Sequence, residues 1–134
     1  MTTIRRSTPD DKPFIEYLLK TVDIDEPFDW DADVIMIAER DGKQMGVSVA
    51  NTKIAIQPLA EHYIVLPEHQ KAGFVFCHLW KGLEKELARM GFTQYVARIP
   101  DERQNMVQYA LKTGMKPYAY WEKGLFYYKN IKEN

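Results

Sequence analysis

Residues 65 to 75, VLPEHQKAGFV, run from an apolar stretch through Pro67 into Gln70, Lys71, Ala72 and Gly73, and then into a helix. A strand that feeds a turn and a helix start aims unpaired backbone amides at whatever occupies the turn, with about half a positive charge from the helix dipole behind them. Phosphate is the natural occupant. Gly73 lets the backbone approach a pyrophosphate that a side chain would obstruct, and Lys71 adds a cation at the rim. Taken alone, the same order of strand, loop and helix is also that of a plain connection in any α/β protein.

The elements around this loop follow from patterning. TIRRS reads as an opening strand, and Thr8, Pro9, Asp10 and Asp11 form a helix start, with a capping hydroxyl, a proline and acids facing the positive dipole end. Phe14, Ile15, Leu18, Leu19 and Val22 supply the buried stripe of that helix. The acidic, irregular DIDEPFDWDAD comes next. VIMIAERDGKQMGVSVA reads as a hairpin turning at Asp41 and Gly42, and HYIVL ends a further strand. Beyond Gly73, Phe76, Leu79, Leu83, Leu87 and Met90 step by threes and fours to a stop at Gly91. QYVARI is the next strand, DERQ has the spacing of a capping box for a helix ending near Gly114, and AYW and LFYYK are late strands. This order predicts an α/β (α+β) fold, a mixed sheet covered by helices.

Composition bounds the partners. The 134 residues, 46% apolar, suit one domain spanning 1 to 134. Eighteen basic residues nearly cancel 19 acidic ones, so no global field draws the chain to nucleic acid or an anionic membrane. One cysteine, Cys77, excludes an internal disulfide framework and a Cys-rich zinc site, and it suits a reducing compartment. With charges in MTTIRRSTPDD where a secretory signal needs an apolar core, a cytoplasmic protein is expected.

VLPEHQKAG resembles the acyl-CoA signature of the GNAT superfamily of N-acetyltransferases, whose strand ends in Val, x, Pro and continues to Gln or Arg, x, x, Gly, x, Gly or Ala. Val65, Pro67, Gln70 and Gly73 occupy those places, and Val75 departs from the last. The element order agrees over nearly the whole chain, and YALKTGMKPY is similar to the family's helix that ends in Tyr, x, x, x, Gly, Phe. The resemblance implies six or seven strands, two of them splayed to form an acyl-CoA cleft, and acetyl-CoA as co-substrate with no metal. It implies that the backbone of Ile64 and Val65 pairs with the pantetheine arm and that the amides of Gln70, Lys71, Ala72, Gly73, Phe74 and Val75 hold the pyrophosphate. Asn105 falls near a family Asn that contacts the cofactor.

The implied activity is acetyl transfer to a primary amine of a small molecule or peptide. The alternative is a GNAT-like CoA-binding or structural protein without turnover, which Val75 and Ala110 favour. Amide formation needs a base for the amine and an acid for the departing thiolate. Glu61 is the first candidate base; strand alternation would put it on one face with Tyr63 and Val65, and His62, the second candidate, on the other. The family's usual acid falls at Ala110, so Tyr109, one residue earlier, or Tyr118 must replace it. The acids Asp23, Asp25, Glu26, Asp29, Asp31 and Asp33, with Phe28 and Trp30 between them, border the acceptor cleft by the same resemblance and would draw a cationic amine; otherwise they form a solvated loop. The aromatic tail YWEKGLFYY offers an edge strand or a homodimer surface.

Overall fold

The computed structural model describes residues 1–24 and 27–131. Strand β1 (Thr2–Arg6) passes through a 3₁₀ turn (Pro9–Asp11) into α1 (Lys12–Thr21). The hairpin β2 (Val34–Arg40) and β3 (Lys43–Asn51) turns at Asp41 and Gly42, both at positive φ (52° and 78°), the geometry that a two-residue Asp-Gly turn supplies. Strand β4 (Leu59–Val65) then leads through two 3₁₀ turns, Pro67–His69 and Lys71–Gly73, into α2 (Phe74–Arg89). β5 (Gln94–Pro100), α3 (Gln104–Lys112), β6 (Lys116–Trp121) and β7 (Gly124–Asn130) complete the order.

The seven strands form one sheet in the order β1-β2-β3-β4-β5-β7-β6. Every neighbouring pair is antiparallel except β4 and β5, which the α2 crossover makes parallel. Each face carries its own core. On one, Leu79, Leu83 and Leu87 of α2 pack fully buried with Tyr95, Tyr127 and Ala110 of α3. On the other, Ile15 and Leu18 of α1 cover Ile37, Val47, Val49 and Ile64. Among the described residues no helix is long and apolar enough to cross a membrane.

In its helices the structure departs from the sequence reading at two places. Trp80, fully buried, belongs to the α2 stripe, whereas Met90 caps the helix at 36% exposed and receives Arg6 on its sulfur. The DERQ capping box does not form: Arg103 is the N-cap of α3 and Gln104 donates back to the carbonyl of Asp101. The reason is that the Asp101 amide is already committed to the Lys123 carbonyl (2.9 Å) in the β6–β7 turn, so the helix starts later. Asp11, the acid read at this helix start, is 1% exposed and ties three elements together. Its carboxylate takes two bonds from Arg5 (both 2.8 Å), one from the Thr8 amide (2.7 Å) and one from Gln44 (3.2 Å).

The Arg5 guanidinium, ahead of the Thr8 amide and Gln44, holds the Asp11 carboxyl well below the usual carboxylate range. A depressed folded pKa contributes stability above the unfolded value of about 4 that is lost as pH falls through the folded one. Asp11→Asn is therefore expected to destabilise the protein by about 2 kcal/mol at pH 7, and the gap to wild type should close below pH 4 in denaturant melts. A gap independent of pH would assign Asp11 a purely steric role.

Candidate functional site

Strands β4 and β5 pair only at Leu59 with Val96 and at Ala60 with Ala97. Beyond them β4 runs on to Val65 and β5 to Pro100 without pairing. The divergence begins at a β-bulge: His62 lies opposite Val49 and Ala60 opposite Ala50, so Glu61 is the extra residue of β4. A bulge bends and twists its strand, and here it separates two parallel neighbours. A cleft of about 600 Å³ occupies the gap, lined by Ile64, Val65, Gln70, Gly73, Asn105 and Tyr109 among others.

At one end of the cleft is the start of α2. Gly73 is its N-cap with φ +68°, the left-handed region that glycine enters without penalty, and a Cβ built there would meet nothing within 4 Å. Backbone handedness thus fixes this glycine in the folded chain, and the open space beside it suits the expected close approach. The Gln70 side chain donates to the Val65 carbonyl (2.9 Å) and braces the loop against the strand. The Gln70 and Gly73 amides are engaged in the 3₁₀ turns, with Pro67 (3.2 Å) and Gln70 (3.4 Å). The first-turn amides of α2, at Phe74, Val75 and Phe76, precede the first i to i−4 bond of that helix. Lys71 and Phe74 are exposed, whereas Val75, at 4% exposed, packs into the α2 core.

At the other end a small cavity of about 40 Å³ is lined by Glu61, Tyr63, Arg98, Arg103 and Trp121. The bulge overturns the alternation expected for β4. Ala60, Tyr63 and Val65 face the α2 core, while Glu61 shares the opposite face with His62 and meets Arg98 of β5. Its side chain is 8% exposed, with Oε2 3.5 Å from Arg98 Nη2 and Oε1 without a hydrogen-bond partner among the described residues. Burial, then the neighbouring Asp29 carboxylate, pushes the Glu61 carboxyl up to about 7 against the opposing pull of Arg98. Asp29 itself is held below the usual range, first by the bond from Asn51 (3.0 Å). The proton of this carboxyl pair therefore resides on Glu61 up to neutral pH.

Tyr109 of α3 lies on the cleft wall, its ring edge-on to Phe76 and Trp80 at 5.4 and 5.2 Å. Burial, then the adjacent Cys77 thiol, pushes its hydroxyl above the ordinary tyrosine value, so it stays protonated. Its Oη is buried without a hydrogen-bond partner among the described residues. Tyr118 lies elsewhere: it is 55% exposed on β6, packed beside Phe126 and Tyr128, and lines neither cavity. Of the acidic segment, Asp25 and Glu26 fall outside the described residues. Asp33 receives the Thr52 amide (2.8 Å) and hydroxyl, and Phe28 stacks on His62 at 5.6 Å, so the segment is anchored onto β4. The His62 ring also lies 3.2 Å from the Pro27 carbonyl.

Arg98 and Arg103 complete the site beyond the residues singled out for chemistry, and Asp29, expected among the acids bordering the acceptor cleft, stands beside Glu61. The signal for Arg98 was available: a charge in the middle of the apolar strand QYVARI. Among the described residues no cluster of His, Cys, Asp or Glu is placed to hold a metal.

No protein-family model matches the chain, and no curated protein matches it by sequence. Solved structures do match by fold. The ribosomal-protein-S18-alanine N-acetyltransferase of Escherichia coli superposes with a TM-score of 0.80 at 13% identity, over 100% of this chain and 96% of the other. YncA of Salmonella typhimurium, a putative acetyltransferase solved with acetyl-CoA, gives 0.75 at 18% identity over 100% and 96%. The PaiA N-acetyltransferase of Thermoplasma acidophilum, solved with coenzyme A, gives 0.74 at 12% identity over 97% and 99%. The chain has the acyl-CoA N-acyltransferase fold of the GNAT proteins.

The raised pKa of Glu61 has a thermodynamic sign. A carboxyl that binds its proton more tightly when folded costs stability as pH rises from its unfolded value of about 4.3 through 7. Replacing Glu61 by Gln should therefore stabilise the protein at pH 8 relative to pH 5, by roughly 1 to 3 kcal/mol after allowance for solvent screening. Asp29, His62, Arg98 and Arg103 all face this position, and they are unchanged in the comparison. Melting curves of the two proteins that stay parallel from pH 5 to 8 would return Glu61 to an ordinary carboxylate.

Proposed function

We propose that the protein is an N-acetyltransferase that moves an acetyl group from acetyl-CoA to a primary amine. The observation that carries this reading is a cleft and an adjoining cavity that share Tyr63, Ile64 and Arg103 in their walls, where β4 and β5 fail to pair. The cleft borders a helix start suited to phosphate, and the cavity beside it holds a buried carboxyl poised near neutrality. The fold neighbours solved with coenzyme A or acetyl-CoA support the same reading.

The residues fit the co-substrate. The left-handed Gly73 leaves open space beside the α2 amides, and the edge of β4 from Glu61 to Val65 is free of β5 to take an extended arm. Bound acetyl-CoA supplies an acyl thioester, which is reactive toward a neutral amine. Glu61 takes the proton from the amine, directly or through a water, as the nitrogen–carbon bond forms. As the carbon–sulfur bond breaks, the Tyr109 hydroxyl has a proton to give to the leaving thiolate. Near pH 7 Glu61 begins to give up its own proton and so becomes available as a base, whereas Tyr109 keeps its proton. One acetyltransferase domain working in the cytoplasm, as the lone Cys77 suits, completes the reading.

Acetyl-CoA at a hundred times its dissociation constant is expected to stabilise the protein by about 2.7 kcal/mol, read as a rise in melting temperature. Gly73→Glu should abolish that rise by placing a carboxylate where phosphate belongs. Gly73→Asn, which tolerates the left-handed region, serves as the control for strain. With binding established, Glu61→Gln should slow transfer on the order of 10² to 10⁴ and leave the affinity for acetyl-CoA near wild type. No thermal shift with acetyl-CoA would overturn the reading.

A further inference from the structure

The small cavity beyond the cleft carries both signs of charge. Glu61 offers a buried oxygen, Oε1, that accepts from nothing among the described residues, and Arg98 offers a buried nitrogen, Nε, that donates to nothing. The two groups touch only through the other ends of their side chains, at 3.5 Å. The Arg98 guanidinium lies over the Trp121 ring at 5.7 Å, which fixes its plane and holds it at the cavity wall. Arg103, the exposed N-cap of α3, lines the same cavity, and among the described residues its side chain meets no acid. A guanidinium has five donors in a rigid fork and is built for a carboxylate. One long contact to Glu61 leaves that capacity unused, and buried donors without acceptors are costly to keep.

We infer that the acceptor is an amine with a carboxylate close to its nitrogen, an α-amino acid head being the simplest, whose carboxylate is clamped by Arg98 and Arg103 while its nitrogen faces Glu61. The inference rests on the acetyltransferase reading above. An α-amino acid carries its two groups on one carbon, and Glu61 and Arg98 lie side by side in the same way. A cavity of about 40 Å³ suits such a head group, with the remainder of the acceptor in the wider cleft. A polyamine would bring only positive charge to two guanidinium groups, and a peptide amino terminus would bring no carboxylate for them. The acidic segment does not reverse this balance. Asp29 and Asp33 stay ionised, but each is held by a neutral donor, Asn51 or Thr52, and neither lines the small cavity.

The test compares acceptors that differ only in the carboxylate. Thiol release from acetyl-CoA is followed with glycine against glycinamide, phenylalanine against phenylalaninamide, and spermidine. The free acids are expected to exceed their amides in kcat/KM by about ten- to hundredfold, the worth of a charge-assisted hydrogen bond. Arg98→Gln should shrink that ratio toward one by raising the KM of the acid, with the KM of acetyl-CoA little changed. If Arg98→Gln does not fold, Arg103→Gln, at an exposed position, is read by the same ratio. The ratio is insensitive to any change in co-substrate binding. Amides or spermidine preferred over the acids would overturn the inference, as would a ratio unmoved by either variant. Acetyl-CoA binding in calorimetry with no turnover of any amino acid would also overturn it and leave the co-substrate reading standing. Absence of acetyl-CoA binding would instead sink the acetyltransferase reading itself.

Discussion

The interrupted pairing of β4 and β5 is the constraint on which the rest depends. Parallel neighbours in a sheet ordinarily bond along their whole length, and separating them leaves backbone groups without partners. The chain accepts that exposure at one place, and the bulge at Glu61 accounts for it: inserting one residue bends β4 away from β5 just after Ala60 and Ala97. The two cores make the arrangement tolerable. α2 packs across β1, β2, β3 and β4 on one face and α1 covers the other, so the sheet stays intact on either side of the gap.

The same bulge decides the electrostatics. Without the extra residue, strand alternation would direct Glu61 into the apolar core beneath α2. With it, Glu61 turns to the face where Asp29 and Arg98 wait. There the carboxyl is neither in water nor paired well enough to ionise freely. Burial and a like charge raise its pKa, and one guanidinium at 3.5 Å only partly offsets them. A buried carboxyl held this way costs stability at neutral pH. Such a cost is intelligible at a site of proton transfer and hard to rationalise in a purely structural element.

Much of the fold was legible because it rests on local chemistry. The Asp41-Gly42 turn, the stripe of Leu79, Leu83 and Leu87, and the helix ends at Gly91 and Gly114, both at positive φ, follow from residue type and spacing alone. The passage from strand through turn to helix at Gly73 was legible for the same reason, although Gly73 is fixed as much by its handedness as by the space it leaves. What the sequence did not carry is what depends on register. No spacing rule announces that β4 gains a residue relative to β3, so the face of Glu61 was misjudged. The DERQ box failed because its first member is held by a turn from another part of the chain. Asp29 and Arg98, far apart in sequence, meet Glu61 only through the closed sheet.

Two departures from the family pattern, Val75 and Ala110, lose much of their weight once the helices are in place. Each side chain points into the core beneath α2 rather than into the cleft, at 4% and 0% exposed. Val75 thus adds packing on the inner side of the phosphate loop and leaves the outer side open. Ala110 lies where bulk would press on the core, and its neighbour Tyr109 is the one that α3 presents to the cleft. One helical step rotates a side chain by about 100°, so α3 sets Ala110 into the core and the Tyr109 ring against the cleft wall. Phe76 and Trp80 then hold the ring edge-on, and the hydroxyl is buried with no hydrogen-bond partner among the described residues. Val75 and Ala110 thus serve the packing of the core, while the neighbouring Tyr109 is the tyrosine whose ring lines the cleft.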